Sequence, residues 1–457
     1  MTTEKKLLSR DSYSLLIKGS SGVGKTSLAL TILGATSFDQ NFLYISTNSS
    51  PLQILKGRPW LANRVPEVEE SRQNVTLTTA RGAFVDSRLD EQSAVYERVT
   101  NELMDERSPL IVIDSWDSIL DPNDADSILT NVKVLQIWRE RAHAKLIFTC
   151  EESANKNFEF LLDGVVGLNQ YFISGRRVRE IQFSKLQGIE ISRPSYFFTL
   201  SGGIFRSFEP YKAEDFVRPP TASEFKITKG QRDAFHIPTG FPQLDRLLSG
   251  GLPTKSVATI EIDPSVDFRI ALSFLRKMML IHTNNGGPTI LQLSNEIAGD
   301  YAKSAKSFVA GLDRKLLRIF LPNTNSETNN SKVNPNEESE RRRELFKQEV
   351  LYMKKEFYGK SLLAIVQSDA ISMSESEWRR NYASLMELAR QEIDVLVLIT
   401  RRHKISSKKS YGSTTEFEIV SINGTLFLTC NSPWSQFYAL TAEGIDNRKE
   451  VALAEMI

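Results

Sequence analysis

Gly19-Ser20-Ser21-Gly22-Val23-Gly24-Lys25-Thr26 lies between the apolar run Ser14-Leu15-Leu16-Ile17 and the helical run Ser27-Leu28-Ala29-Leu30-Thr31-Ile32-Leu33. A G-x-x-x-x-G-K-T pattern between strand and helix is a nucleoside-triphosphate cradle. Its glycines let successive backbone N–H groups converge on phosphate oxygens, and the helix N-terminus behind them favours negative charge. Lys25 then reaches the β and γ phosphates, and the Thr26 hydroxyl ligates Mg²⁺. Residues Gly19, Ser20, Ser21, Gly22, Val23, Gly24, Lys25, Thr26 and Ser27 form the expected binding set, with ATP and Mg²⁺ as expected cofactors. No base-reading motif is visible, so ATP and GTP stay open.

Leu110-Ile111-Val112-Ile113-Asp114 is an apolar strand ending in a carboxylate, the usual second half of such a site. Asp114 is the expected second Mg²⁺ residue beside Thr26. Thr149 ends the next strand, Lys145-Leu146-Ile147-Phe148, where a polar sensor of the γ-phosphate is expected, and Glu151 and Glu152 follow it.

At 457 residues the chain exceeds one comfortable core, which favours two domains or three. Lys plus Arg (57) nearly cancels Asp plus Glu (56), so no global field draws the protein to nucleic acid or an anionic membrane. The two cysteines, Cys150 and Cys430, follow apolar runs and suit reduced core thiols of a cytoplasmic protein. No apolar stretch is long enough to span a bilayer.

In the first half, strands alternate with helical stretches: residues 41–45, then 91–106, 110–113, 126–141 and 145–148. That alternation predicts a mostly parallel sheet wrapped by helices. Closely spaced strands at 179–183 and 196–200 predict a hairpin-type edge completing domain 1–210. Residues 211–235, charged and carrying Pro219 and Pro220, read as a linker. A second α/β domain, 236–457, has strand candidates at 257–260, 289–293, 362–366 and 395–399 and repeats the first plan. Residues 322–343, rich in Asn, Ser, Glu and Pro, read as a mobile insertion.

Further matches lie in Leu161-Leu162-Asp163-Gly164-Val165-Val166-Gly167-Leu168, Gly175-Arg176-Arg177-Val178-Arg179, Lys185-Leu186-Gln187-Gly188 and Phe197-Phe198-Thr199-Leu200-Ser201-Gly202-Gly203-Ile204. Ile237-Pro238-Thr239-Gly240-Phe241-Pro242-Gln243-Leu244-Asp245 opens the second domain. In these stretches the sequence resembles the RecA-like ATPases of the KaiC and GvpD group, the circadian-clock ATPase and the archaeal gas-vesicle regulator. The resemblance implies an α/β chain of two tandem RecA-like phosphate-loop domains and a habit of ring-like homo-oligomers. Domain one lacks the opening signature, as in the GvpD branch.

The departures bear on catalysis. KaiC-like ATPases place paired glutamates after the second strand, in a Glu-Glu-x-Pro setting, to orient the attacking water. Here the stretch is Asn48-Ser49-Ser50-Pro51, and no side chain in it accepts a proton. A general-base contribution of about 10²- to 10⁴-fold is thereby lost. The family's Lys-Leu-Arg-Gly, whose arginine reaches the neighbour's γ-phosphate, reads Lys185-Leu186-Gln187-Gly188, which removes a term worth about 10³ to 10⁵ where such fingers operate. Lys185 is either a substitute charge across an interface or an ordinary strand-edge lysine. Glu151 or Glu152 is the nearest substitute base, and Lys25, Thr149 and Glu151 form the expected catalytic set.

The second domain's loop reads Asp263-Pro264-Ser265-Val266-Asp267-Phe268-Arg269, with Phe268 at the lysine position and Arg269 at the Mg²⁺ position. Gln367 stands where a metal-binding aspartate is needed. The second domain is therefore expected to keep the fold, lack nucleotide, and serve assembly or partner contact. Three basic clusters, Arg176-Arg177 with Arg179, Arg341 to Arg343, and Arg401 to Lys409, read first as solvated surface. The third is the best DNA-loop candidate in a RecA-like fold.

Two functions are expected from these residues. The first is a regulatory switch that binds Mg-ATP in domain one, hydrolyses it slowly as a weak ATPase at most, and meets an unknown protein partner, a transcription factor being one option. The alternative is a DNA-dependent RecA-like ATPase of recombination or repair.

Overall fold

The computed structural model describes residues 12–35, 40–62, 69–70, 76–79, 82–119, 125–151, 156–217, 235–293, 312–320, 335–367, 375–401, 412–444 and 449–457. The chain divides into two compact units, Met1–Phe208 together with Met456–Ile457, and Glu209–Glu455.

The first unit is built on β1 (Tyr13–Gly19), β2 (Phe42–Ser46), β3 (Glu69–Glu70), β4 (Thr76–Thr79), β5 (Gly82–Asp86), β6 (Leu110–Asp114), β7 (Lys145–Cys150), β8 (Gly164–Ile173), β9 (Arg176–Leu186), β10 (Ser195–Thr199) and β11 (Arg206–Ser207). They form one sheet in the order β11-β10-β9-β8-β1-β7-β6-β2-β5-β4-β3. The run from β5 to β8 through β1 is parallel, and both flanks are antiparallel. A strand inside a parallel sheet is covered on both faces and can carry a continuous apolar run, as β6 does from Leu110 to Ile113 before Asp114, with all five residues buried.

Alternation along β1 distributes its side chains between two cores. Leu15 and Ile17 join Leu28, Leu30 and Leu33 of the helix Lys25–Ala35, together with Phe198 and Phe205. Leu16 joins Val95, Val99 and Leu103 of the helix Gln92–Asp105 and Val132 and Leu135 of the helix Ala125–Ala142.

In the second unit, β12 (His236–Ile237) and β13 (Leu252–Pro253) pair as a ribbon. The main sheet comprises β14 (Ser256–Ile262), β15 (Thr289–Gln292), β16 (Leu317–Phe320), β17 (Leu363–Gln367), β18 (Val395–Arg401), β19 (Thr415–Ile422), β20 (Thr425–Ser432), β21 (Tyr438–Glu443) and β22 (Glu450–Glu455). Its order is β16-β15-β17-β18-β14-β19-β20-β21-β22. Substituting β1 for β14, β2 for β15, β5 for β16, β6 for β17, β7 for β18 and β8 to β11 for β19 to β22 reproduces the order of the first sheet from β5 to β11, with β3 and β4 extending that sheet beyond β5. Both units are α/β, with mostly parallel sheets flanked by helices, in the arrangement of tandem RecA-like domains.

Two expected segments differ in detail. The stretch read as a linker at 211–235 contains the helix Ala213–Val217, whose Phe216 packs into the second unit's core, while 218–234 lies outside the described residues. The insertion expected at 322–343 runs into the helix Pro335–Glu356, which carries Arg341 to Arg343, so its last nine residues are regular helix. Residues 321–334 lie outside the described residues.

Candidate nucleotide site

The cradle begins where β1 ends. A Cβ at Gly19 would stand 2.4 Å from the Leu168 carbonyl oxygen on β8, so only glycine lets β1 pass this point. Gly24 has φ +118°, and a Cβ there would meet Leu200 Cδ1 at 2.9 Å. Between them Val23 is buried in the core and anchors the loop, while Ser20 and Ser21 are exposed. Lys25 begins the helix and folds over the loop, its Nζ donating to the carbonyls of Gly19 (2.7 Å) and Ser20 (3.1 Å).

Asp114 is the hub. Thr26 Oγ1 donates to its Oδ2 at 2.7 Å, Tyr44 Oη donates to the same oxygen at 2.5 Å, and Thr149 Oγ1 donates to Oδ1 at 2.5 Å. A carboxylate offers about four lone-pair directions, so three hydroxyls nearly saturate it. Burial first, then the negative charge of Asp114, holds the Tyr44 hydroxyl well above the usual phenol range, which keeps it a neutral donor. Thr26 and Asp114 thus bring hard oxygen ligands together at hydrogen-bond distance beside the phosphate loop, a donor set that fits Mg²⁺.

Thr149, fully buried, spends its hydroxyl on Asp114. Glu151 is exposed and donates its backbone N–H to Asp117 Oδ2 at 2.5 Å. Glu152 lies outside the described residues. Asp117 and Tyr44 are two residues that motif reading passes over, because nothing in their local sequence marks them.

The stretch after β2 has structural duties in place of catalytic carboxylates. Ser50 caps the helix Pro51–Lys56, accepting from the Gln53 N–H, with Pro51 at the first helical position. Ser49 supplies the carbonyl that accepts from Ser46 Oγ, and Asn48 Oδ1 accepts from Ser118 Oγ at 2.8 Å. Arg58, just beyond that helix, donates to Ser27 Oγ in the first turn of the helix Lys25–Ala35.

Lys185 is committed elsewhere. Its Nζ donates to the carbonyls of Leu162 (2.6 Å), Phe160 (3.2 Å) and Glu159 (3.3 Å), closing the C-terminal end of the helix Lys156–Leu161. Lys185 is half-buried and makes a local cap, a third arrangement beside the two expected for it. In the first basic cluster Arg176 and Arg179 are buried, which departs from the expected solvated surface.

The corresponding loop of the second unit is filled by its own side chains. Phe268 is 3% exposed and belongs to the core. Arg401, at the end of β18, lies over its ring at 5.7 Å and donates to the Pro264 carbonyl at 3.0 Å. Arg269 is forked onto Asp267. Gln367 ends β17 and is buried where β6 carries Asp114. The DNA-loop candidate after Arg401 lies outside the described residues, from 402 to 411. Among the described residues no helix is long and apolar enough to cross a membrane.

The family model described as ATPase: KaiC matches residues 9–207. Protein GvpD1 of Halobacterium salinarum is 25% identical over 276 residues, covering 55% of this chain and 48% of GvpD1. Protein GvpD2 of the same organism is 24% identical over 267 residues, covering 54% of this chain and 52% of GvpD2. The chain spans about half the length of the curated relatives it matches.

Proposed function

We propose, from the premise that the first unit of this chain belongs to the KaiC/GvpD group of RecA-like ATPases, that the protein is a nucleotide switch: the first unit binds Mg-ATP, turns it over slowly, and governs contact with a protein partner. One observation carries the reading. A complete cradle of Lys25, Thr26 and Asp114 stands beside an end of β2 that carries Asn48, Ser49 and Ser50 and no carboxylate. On this reading residues Gly19 to Ser27 hold the phosphates, Lys25 swings from the loop carbonyls to the β and γ phosphates, and Thr26 and Asp114 hold Mg²⁺, whose charge offsets that of the β and γ oxygens. The arginine-finger position carries Gln187 and the neighbouring Lys185 is engaged locally, so turnover is slow and the bound state is long-lived.

The second unit, with its loop filled, serves assembly or partner contact, and homo-oligomers are compatible with this role. Location in the cytoplasm and action on transcription belong to the same proposal. The test titrates the full chain with a fluorescent ATP analogue and Mg²⁺, beside Lys25→Ala, and follows phosphate release with and without DNA. Tight, Lys25-dependent binding with slow release supports the switch. Brisk or DNA-stimulated release replaces it with the DNA-dependent ATPase.

A further inference from the structure

Slow hydrolysis still needs a group that takes the proton of the attacking water. Asp114 is nearly saturated by three hydroxyls and is the proposed Mg²⁺ residue, and Glu151 is exposed. Asp117 is placed differently. It sits on the single 3₁₀ turn Trp116–Ser118 directly after β6, and that turn is clamped at both sides. Trp116 is 1% exposed, stacked on Phe158 (5.3 Å) and edge-on to Phe148 (4.9 Å). Ser118 is bonded to Asn48 beyond the end of β2. Asp117 itself is fixed by the Glu151 N–H at 2.5 Å. The charged groups that act on it are the ammonium of Lys25 in the phosphate loop and the carboxylate of Glu151. A half-buried, rigidly held carboxylate within electrostatic reach of the lysine that meets the γ-phosphate is where a general base belongs.

We propose that Asp117 is the general base of ATP hydrolysis in the first unit, an assignment that rests on the reading of that unit as an Mg-ATP site. Water gives a proton to the Asp117 carboxylate while its oxygen bonds to the γ-phosphorus. The bond from that phosphorus to the β–γ bridging oxygen breaks, its electron pair leaving on ADP, and the proton then passes from the carboxyl to solvent. ATP and water become ADP, phosphate and a proton. Burial, with Glu151 beside it, holds the Asp117 carboxyl above the usual range, partly opposed by the Glu151 N–H and Lys25, and so nearer the pH at which a base works best.

Single-turnover phosphate release by the full chain, with saturating Mg-ATP, tests this. Asp117→Asn keeps an oxygen for the Glu151 N–H and is expected to slow release by at least about 10²-fold, with affinity for the fluorescent ATP analogue within a factor of about three by the usual spread of such effects. The wild-type rate is expected to fall on the acid side with a midpoint above the usual carboxylate range, a limb read without any variant. Four results overturn the assignment: release by Asp117→Asn at the wild-type rate, the loss appearing in Glu151→Gln instead, a rate with no acid limb, or a wild type that binds Mg-ATP and releases no phosphate. Failure of the wild type to bind Mg-ATP refutes the underlying reading instead, and shows directly in the titration.

Discussion

Replacing Tyr44 with Phe isolates one bond of the Asp114 hub. The Tyr44 ring is fully buried and packs against Phe84 at 5.3 Å, a contact that phenylalanine retains. What is lost is one hydroxyl donating at 2.5 Å to Asp114 Oδ2. A buried hydrogen bond to a charged acceptor contributes about 1.5–3 kcal/mol. The Thr26 and Thr149 donors remain, so the carboxylate is not orphaned, and the expected loss lies within that range. It corresponds to a folded-to-unfolded ratio lower by about 10- to 150-fold. Urea unfolding followed by tryptophan fluorescence reads it, since Trp116 lies buried in the same unit, and the denaturant slope should not change. A double-mutant cycle with Asp114→Asn then assigns the loss to the pair. A Tyr44→Phe loss below about 0.5 kcal/mol, the scale of ordinary neutral substitutions, or a cycle without coupling, refutes the hub.

Lys185→Ala removes a cation from three helix-terminal carbonyls and is expected to cost the first unit about 1 kcal/mol in the same urea assay, with Mg-ATP affinity unchanged. Asp117 gives a pH signature. A carboxyl raised in the folded state contributes its stability below the unfolded carboxyl range and loses it as pH rises through the folded value. Asp117→Asn should therefore be the more stable protein at pH 7, with the difference vanishing in acid, as thermal melts across pH will read. Arg401→Ala is expected to lower the stability of the second unit by about 1–2 kcal/mol through its contacts with Phe268 and the Pro264 carbonyl, leaving nucleotide binding at the first unit intact.

The cradle and Asp114 were legible because phosphate chemistry demands fixed residue types at fixed spacing on a strand-to-helix turn. Most parallel strands were legible too, as short apolar runs between helical stretches. Tyr44 was not, since its role depends on β2 lying beside β6 with Ser46 opposite Asp114, a register no local pattern announces. Lys185 was ambiguous because the carbonyls it caps come from a helix end 23 to 26 residues earlier. Strand β19 alternates between buried and half-buried positions, so it shows no unbroken apolar run, whereas β20 is buried from Thr425 to Cys430 and its apolar run before Cys430 is visible in the sequence. Ser50-Pro51 illustrates a double meaning: read for chemistry it is a missing base, and read for backbone it is a helix start.

From β5 to β11 the first sheet shares its strand order with the second, yet the loops after their first strands differ: Ser20 and Ser21 are exposed in the first unit, whereas in the second Phe268 is buried with Arg401 over its ring. If the first unit alone binds nucleotide, as proposed, ligand mass action falls on that half of the molecule. At a concentration about 100 times its dissociation constant, a nucleotide adds about 2.7 kcal/mol to the unit that binds it and nothing to the other. On that proposal the first unit's resistance to unfolding and proteolysis tracks the supply of triphosphate, with the second unit as the comparison within the same chain.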